Sequence, residues 1–121
     1  MDEHTLNKKF QKELLSGITS LVLLSALGQR SEPMYGYQIA KSIIPDDGDP
    51  IIKQGALYPV LRSLEKSSLL SSSVEPSISG PPRRYYTITE KGLQTLQEWQ
   101  SIWSKFKSYA DHILAGEHHD S

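Results

Sequence analysis

The stretch Gln54-Gly55-Ala56-Leu57-Tyr58-Pro59-Val60-Leu61-Arg62-Ser63-Leu64-Glu65 constrains the fold more than any other part of this chain. Leu57, Leu61 and Leu64 recur at the interval that stacks side chains on one face of a helix. Gln54, Tyr58 and Arg62 recur every fourth residue and form a second stripe that points elsewhere. A short helix of this kind needs a core on its apolar side and offers its polar, aromatic and cationic side to a partner. Pro59 breaks the local rule. Proline in a helix interior costs about 3 kcal/mol, less near the first turn. Such breaks often fall at functional surfaces; the plainer reading is a shortened or kinked helix.

The preceding residues supply candidate partners for that apolar side. Leu6, Phe10, Leu14, Ile18 and Leu21 form a helical stripe, widened later by Leu15, Val22, Leu24 and Leu27. The pattern predicts one long helix from about Thr5 to Leu27, ended by Gly28 as a C-terminal cap. Its first half has a narrow stripe and a charged back, so it calls for a partner helix. Its second half is apolar nearly all round and should sit at the centre of the core. Tyr35 to Ile43 reads as a helix of two to three turns, with Ile39 and Ile43 inward. Gly36 costs a helix about 1 kcal/mol relative to Ala. Tight packing is the preferred reading there, ahead of backbone close to a phosphate.

After the central helix, Leu69 to Val74 reads as a strand and Pro76 to Pro82 as a loop tip. Arg83 to Thr89 reads as the returning strand, with Tyr86 and Ile88 on one face. Arg84 is expected off that face. Arg83, Arg84 and Tyr85 suit a groove or phosphate contact, against the alternative of a solvated basic turn. Thr89 is an N-cap for a last helix. That helix carries Leu93, Leu96, Trp99, Trp103, Phe106, Ala110 and Ile113 in a near-heptad seam. About 25 residues would extend ~37 Å, too far for this small domain to cover. The stripe therefore implies a second chain, as does the stripe of Leu6, Phe10 and Leu14. Pairing across a two-fold axis satisfies both. Trp99 and Trp103 are read as interface packing first and as a slot for a planar effector second. The expected fold class is mainly α with a small β-hairpin (α+β).

At 121 residues the chain reads as one domain with an appended helix. The expected division is 1–92 for the central fold (helix 5–27 also dimerising), 93–115 for the C-terminal dimerisation helix and 116–121 for a disordered tail. There is no Cys, which fits a reducing cytosol. The net charge of −1 does not suggest a nucleic-acid binder, but its distribution is uneven. Residues 53–91 carry 6 basic and 3 acidic side chains, whereas the flanking segments are each −2. A local patch, rather than the total, attracts phosphate.

Several function classes are excluded on residues. The run Leu21-Val22-Leu23-Leu24 behind Lys8, Lys9 and Lys12 resembles a secretory signal, with Ser25-Ala26-Leu27-Gly28 as a cleavage-like site. Ser16, Gly17, Thr19 and Ser20 interrupt it, and it falls short of the roughly 20 apolar residues that span a bilayer. A buried helix and no membrane contact are expected. Asp46, Asp47 and Asp49 do not have calcium-loop spacing. Glu117, His118, His119 and Asp120 lie at a chain end with no third ordered ligand, so neither metal nor cofactor is expected. No nucleophile elbow or phosphate loop is present, and no enzyme is expected.

Three linked motifs then converge. Met34-Tyr35-Gly36-Tyr37-Gln38-Ile39, Gly55 to Glu65, and Gly80-Pro81-Pro82-Arg83-Arg84-Tyr85-Tyr86-Thr87-Ile88-Thr89-Glu90-Lys91-Gly92 resemble the PadR-like transcriptional regulators in order and spacing, over about residues 14 to 92. The resemblance implies a cytoplasmic, prokaryotic homodimer of winged helix-turn-helix subunits, of the compact branch with a short C-terminal dimerisation helix. It implies a repressor on double-stranded DNA, released in some members by a small planar aromatic effector. By position, Lys53, Gln54, Gly55, Ala56, Tyr58, Pro59 and Arg62 match the recognition helix. Tyr35 and Tyr37 match the supporting helix, and Arg83, Arg84 and Tyr85 the wing. Leu6, Phe10, Leu14, Leu96, Trp99, Trp103, Phe106, Ala110 and Ile113 are the expected dimer contacts, with Trp103 and Trp99 as candidate effector contacts. Two recognition helices about 34 Å apart would read an inverted repeat. Ser68 departs from the family's usual glycine, which puts the helix-to-wing turn in question. A winged-helix module that binds protein rather than DNA is the alternative, supported by the low net charge.

Overall fold

The computed structural model describes residues 2–45, 48 and 51–116. The elements run α1 (Glu3–Leu15), α2 (Ile18–Gly28), β1 (Met34–Tyr35), α3 (Gly36–Ser42), α4 (Gln54–Lys66), β2 (Leu70–Glu75), β3 (Arg83–Ile88) and α5 (Glu90–Leu114). The strands form one antiparallel sheet in the order β1-β3-β2. The expected α+β winged fold is present. Asp46, Asp47 and Asp49, and the terminal Glu117, His118, His119 and Asp120, lie outside the described residues.

The expected single helix from Thr5 to Leu27 is two helices bent by 49°. Ser16 is extended and Gly17 takes φ +93°, a left-handed conformation that favours glycine. The apolar period runs through the break, so spacing alone hides it. α1 buries no residue, while α2 buries Leu23, Leu24 and Leu27. Among the described residues no single helix is long and apolar enough to cross a membrane. The pair α1 and α2 reaches that length only together and across the bend.

Gly28 is not the cap that ends α2. It lies inside the helix, and Gln29 follows as the cap. A Cβ on Gly28 would sit 2.9 Å from Leu96 Cδ2, so the glycine permits the close approach of α5. Leu96 is 8% exposed and belongs to the protomer's own core, with Trp99 packed against it. The expected seam of α5 is therefore divided. Leu96 and Trp99 complete the core over α2, while Leu93 and the stripe from Trp103 onward remain uncovered.

The reading of Tyr35 as the start of a helical turn gives way to a strand. Met34 and Tyr35 pair with Tyr86 and Tyr85 of β3, and the helix begins one residue later at Gly36. Two residues are too few to show a period of two. Met34 is buried and anchors this edge to the sheet.

β2 begins at Leu70 rather than Leu69 because Leu69 completes the cap of α4. Leu69 N–H donates to Leu64 O (2.9 Å) and Ser68 N–H to Glu65 O (2.9 Å). That is the paired bonding of a Schellman motif, with buried Leu64 and Leu69 as its apolar contact. Ser68 fills the left-handed position at φ 65°, alone among the described non-glycine residues. A Cβ in that region costs about 1 kcal/mol. Ser68→Gly should therefore raise stability by about 1 kcal/mol, read as a higher melting temperature in circular dichroism. An unchanged or lower melting point would refute this account of the turn.

Candidate nucleic-acid interface

α4 separates its two stripes as the spacing requires. Leu57, Leu61 and Leu64 are buried in the core, and Gln54, Tyr58 and Arg62 are exposed. Gln54 Nε2 reaches Tyr58 Oη at 3.5 Å, at the outer limit of a hydrogen bond. Lys53 is the N-cap in extended conformation, with no side-chain capping bond. Gly55 has nothing within 4 Å of a built Cβ, so the first turn of α4 is bare and narrow. The helix continues through Pro59, which is exposed and follows the first turn. The ring removes a bond to the Gly55 carbonyl. That carbonyl lies on the exposed side, where water can serve it.

Gly36 is buried beneath this surface. A Cβ there would lie 2.6 Å from Tyr58 Cε1. The preferred packing reading thus holds, and it has a consequence. The ring of Tyr58 rests on the start of α3, so α3 fixes the height of the α4 stripe. Tyr37 is exposed beside it, with Lys41 Nζ 5.7 Å from its ring centroid.

The wing residues are less free than the sequence suggests. Arg83 Cζ lies 4.4 Å from the Tyr35 ring centroid, a cation–π distance. Tyr35 also meets Tyr85 edge-on, with centroids 5.4 Å apart and 68° between planes. Tyr35 and Tyr85 therefore brace the wing against α3, and Arg83 rides on that brace. Arg84 was expected off the face of Tyr86. It shares that face instead, two residues along the same strand, and its Nη1 donates to Ser72 Oγ at 2.9 Å. Ser72 Oγ in turn donates to Glu65 Oε2 at 2.6 Å. Tyr86 is buried below, where desolvation, and after it the nearby Glu65 charge, push its phenol above the ordinary value.

Together Tyr35, Tyr37, Tyr58, Arg62, Arg83 and Arg84 line one open cleft between α3, α4 and the hairpin. Glu65 lines it too. Glu65 and Ser72 were not expected in the site. Glu65 continues α4 as one more polar residue, and Ser72 sits in a serine run, so neither carries a visible signal until β2 is paired.

The second candidate surface lies on the other elements. Leu6, Phe10 and Leu14 on α1 are all more than half exposed. Trp103, Phe106 and Ile113 on α5 are exposed, and Ala110 is half-buried. Ile102 (57% exposed) and Tyr109 (66%) widen this stripe and were missed because they lie off the strict heptad. An apolar groove of about 650 Å³ runs between α1, the Gly17 bend and α5, lined by Leu14, Ile18, Trp99, Trp103 and Phe106 among others. A smaller cleft of about 390 Å³, between α2, α3 and α5, also meets Trp103, with Leu21, Ala26 and Ile43.

The transcriptional regulator PadR-like family model matches residues 23–98. No curated protein matches the chain. Among solved structures, a PadR family transcriptional regulator from Eggerthella lenta is 32% identical. The alignment covers 92% of this chain and 96% of that one, with a TM-score of 0.69. A PadR-like transcriptional regulator from Bacillus cereus is 29% identical over 84% of this chain and 96% of that one, with a TM-score of 0.67. A putative transcriptional regulator from Thermoplasma acidophilum shares the fold at a TM-score of 0.72. It is 24% identical and the match covers 85% of this chain and 96% of that one.

Proposed function

Because the chain belongs to the PadR-like family of transcriptional regulators, we propose that it acts in the cytoplasm as a homodimeric repressor on an inverted-repeat DNA site. The observation that carries this reading is the division of α4. Its leucines are buried, while Gln54, Tyr58 and Arg62 face outward, and Tyr58 and Arg62 share one cleft with four further aromatic or cationic groups, Tyr35, Tyr37, Arg83 and Arg84.

Each residue takes a role by its chemistry and place. Arg62 and Gln54 read base edges in the major groove, as bidentate donors and acceptors do. Lys53, Tyr58 and the wing residues Arg83, Arg84 and Tyr85 meet phosphates, which set register and affinity. Gly55, Ala56 and Pro59 keep the approach clear. Tyr35 and Tyr37 stand where α3 meets the backbone. Leu6, Phe10, Leu14, Trp103, Phe106, Ala110 and Ile113 form the contact between copies, which explains why all of them but the small, half-buried Ala110 are large apolar side chains left uncovered in one protomer. Trp103 borders two clefts, so a planar aromatic effector stacked there would perturb the same contact and shift the spacing of the two recognition helices.

Arg62→Ala should cost about 1–3 kcal/mol for the cognate site and little for unrelated duplexes. Arg83→Ala should weaken all duplexes and lower the slope of log K against log salt by about 1. Fluorescence anisotropy across a salt series measures both. A double variant that binds as tightly as the parent would refute the assignment.

A further inference from the structure

Arg84 is held by a two-step chain of hydrogen bonds that reaches back into α4. Its Nη1 donates to Ser72 Oγ, and the Ser72 hydroxyl donates to Glu65 Oε2. Ser72 pairs with Tyr86, so Arg84, two residues before Tyr86, is its diagonal neighbour on the same face. A hydroxyl has one proton to give. At 2.6 Å that proton is committed to the carboxylate, which turns the oxygen lone pairs toward the guanidinium.

The chain fixes Arg84 without quenching it. A direct ion pair with Glu65 would occupy two donors of the fork and neutralise its charge at contact. Among the described residues the ion pair within 4 Å is Lys107–Asp111 and not Glu65–Arg84. The serine spacer leaves Arg84 with one donor used and four free. Arg84 is exposed and lines the same cleft as Arg62 and Tyr58. An arginine already held in one rotamer loses less freedom when it meets a ligand.

We infer that Glu65 and Ser72 are positioning residues that present the Arg84 guanidinium to a DNA phosphate. This rests on the DNA-binding reading above. The account gives Glu65, an acid on a surface meant for a polyanion, a reason to be there.

Ser72→Ala should weaken binding of a labelled duplex of about three helical turns by roughly threefold to tenfold at low salt, the scale of one hydrogen bond. Ser72→Thr, which keeps the hydroxyl, should bind as the parent does. In an Arg84→Ala background, Ser72→Ala should cause no further loss. A hydroxyl that only supported the fold would give the same loss in both backgrounds. Equal losses, or parental or tighter binding by Ser72→Ala, would overturn the inference. If Arg62→Ala lowers binding while Arg84→Ala does not, the inference fails and the DNA reading stands. If the parent chain shifts no duplex, both fail.

Discussion

A Gly92→Ala variant is expected to lose about 3 kcal/mol of stability, and its melting temperature should fall by roughly 10 °C. A Cβ on Gly92 would lie 2.2 Å from the Leu69 carbonyl oxygen and 2.7 Å from Ile88 Cγ1. The first of these is backbone and cannot swing aside. Leu69 is also held at both of its backbone polar atoms. Its N–H donates to Leu64 O and its carbonyl accepts from Thr89 N–H (3.0 Å), while the Thr89 hydroxyl donates to the neighbouring Ser68 O (2.7 Å). Thr89 Oγ1 in turn accepts from Gly92 N–H at 2.9 Å. Pushing Leu69 away thus disturbs the end of α4, the start of β2 and the N-cap of α5 together. Gly28→Ala is the contrasting case. Its new Cβ meets the tip of the Leu96 side chain, which can move, and the gain in helix propensity of about 1 kcal/mol offsets the crowding. A Gly92→Ala chain that melts with the parent would show that the joint between wing and α5 is looser than these distances imply.

Phe106→Asp is expected to leave the protomer folded and abolish its pairing. Phe106 is 67% exposed, so the protomer's core loses little. In the proposed dimer the same position is covered. An uncompensated buried charge costs about 3–5 kcal/mol, and two-fold symmetry inserts two of them. Light scattering at micromolar concentration should then report the mass of one chain. Duplex affinity should fall by about a hundredfold or more, since one subunit cannot hold both half-sites. Ser104→Asp places the same charge on the polar side of α5 and should change neither readout. A paired Phe106→Asp chain would place the dimer contact elsewhere.

What the sequence makes legible follows from how many periods an element spans. The two faces of α4 repeat over three turns, and α5 over seven, so both declare themselves and both appear in the fold. The bend at Ser16 and Gly17 does not, because α1 and α2 are both helical and their apolar period continues across it. Gly28 shows the same ambiguity in another form. A glycine after an apolar run reads as a cap, yet here it admits Leu96, a partner distant in sequence. β1 is two residues long and exists through its pairing with β3. The Arg84–Ser72–Glu65 chain joins residues 12 and 7 positions apart, and needs the hairpin register before any of its members is marked. Ser68 is the opposite case. A departure at one position pointed to a left-handed turn, and φ 65° is found there.

In the proposed dimer, two copies of the α4 polar stripe are held at the pitch of one duplex. The direct test is the mass of the complex with DNA from the chain's own upstream region, measured by native mass spectrometry at low salt. Two chains are expected on each duplex, with the same pairing in the absence of DNA. One chain per duplex, or no complex at all, would contradict it.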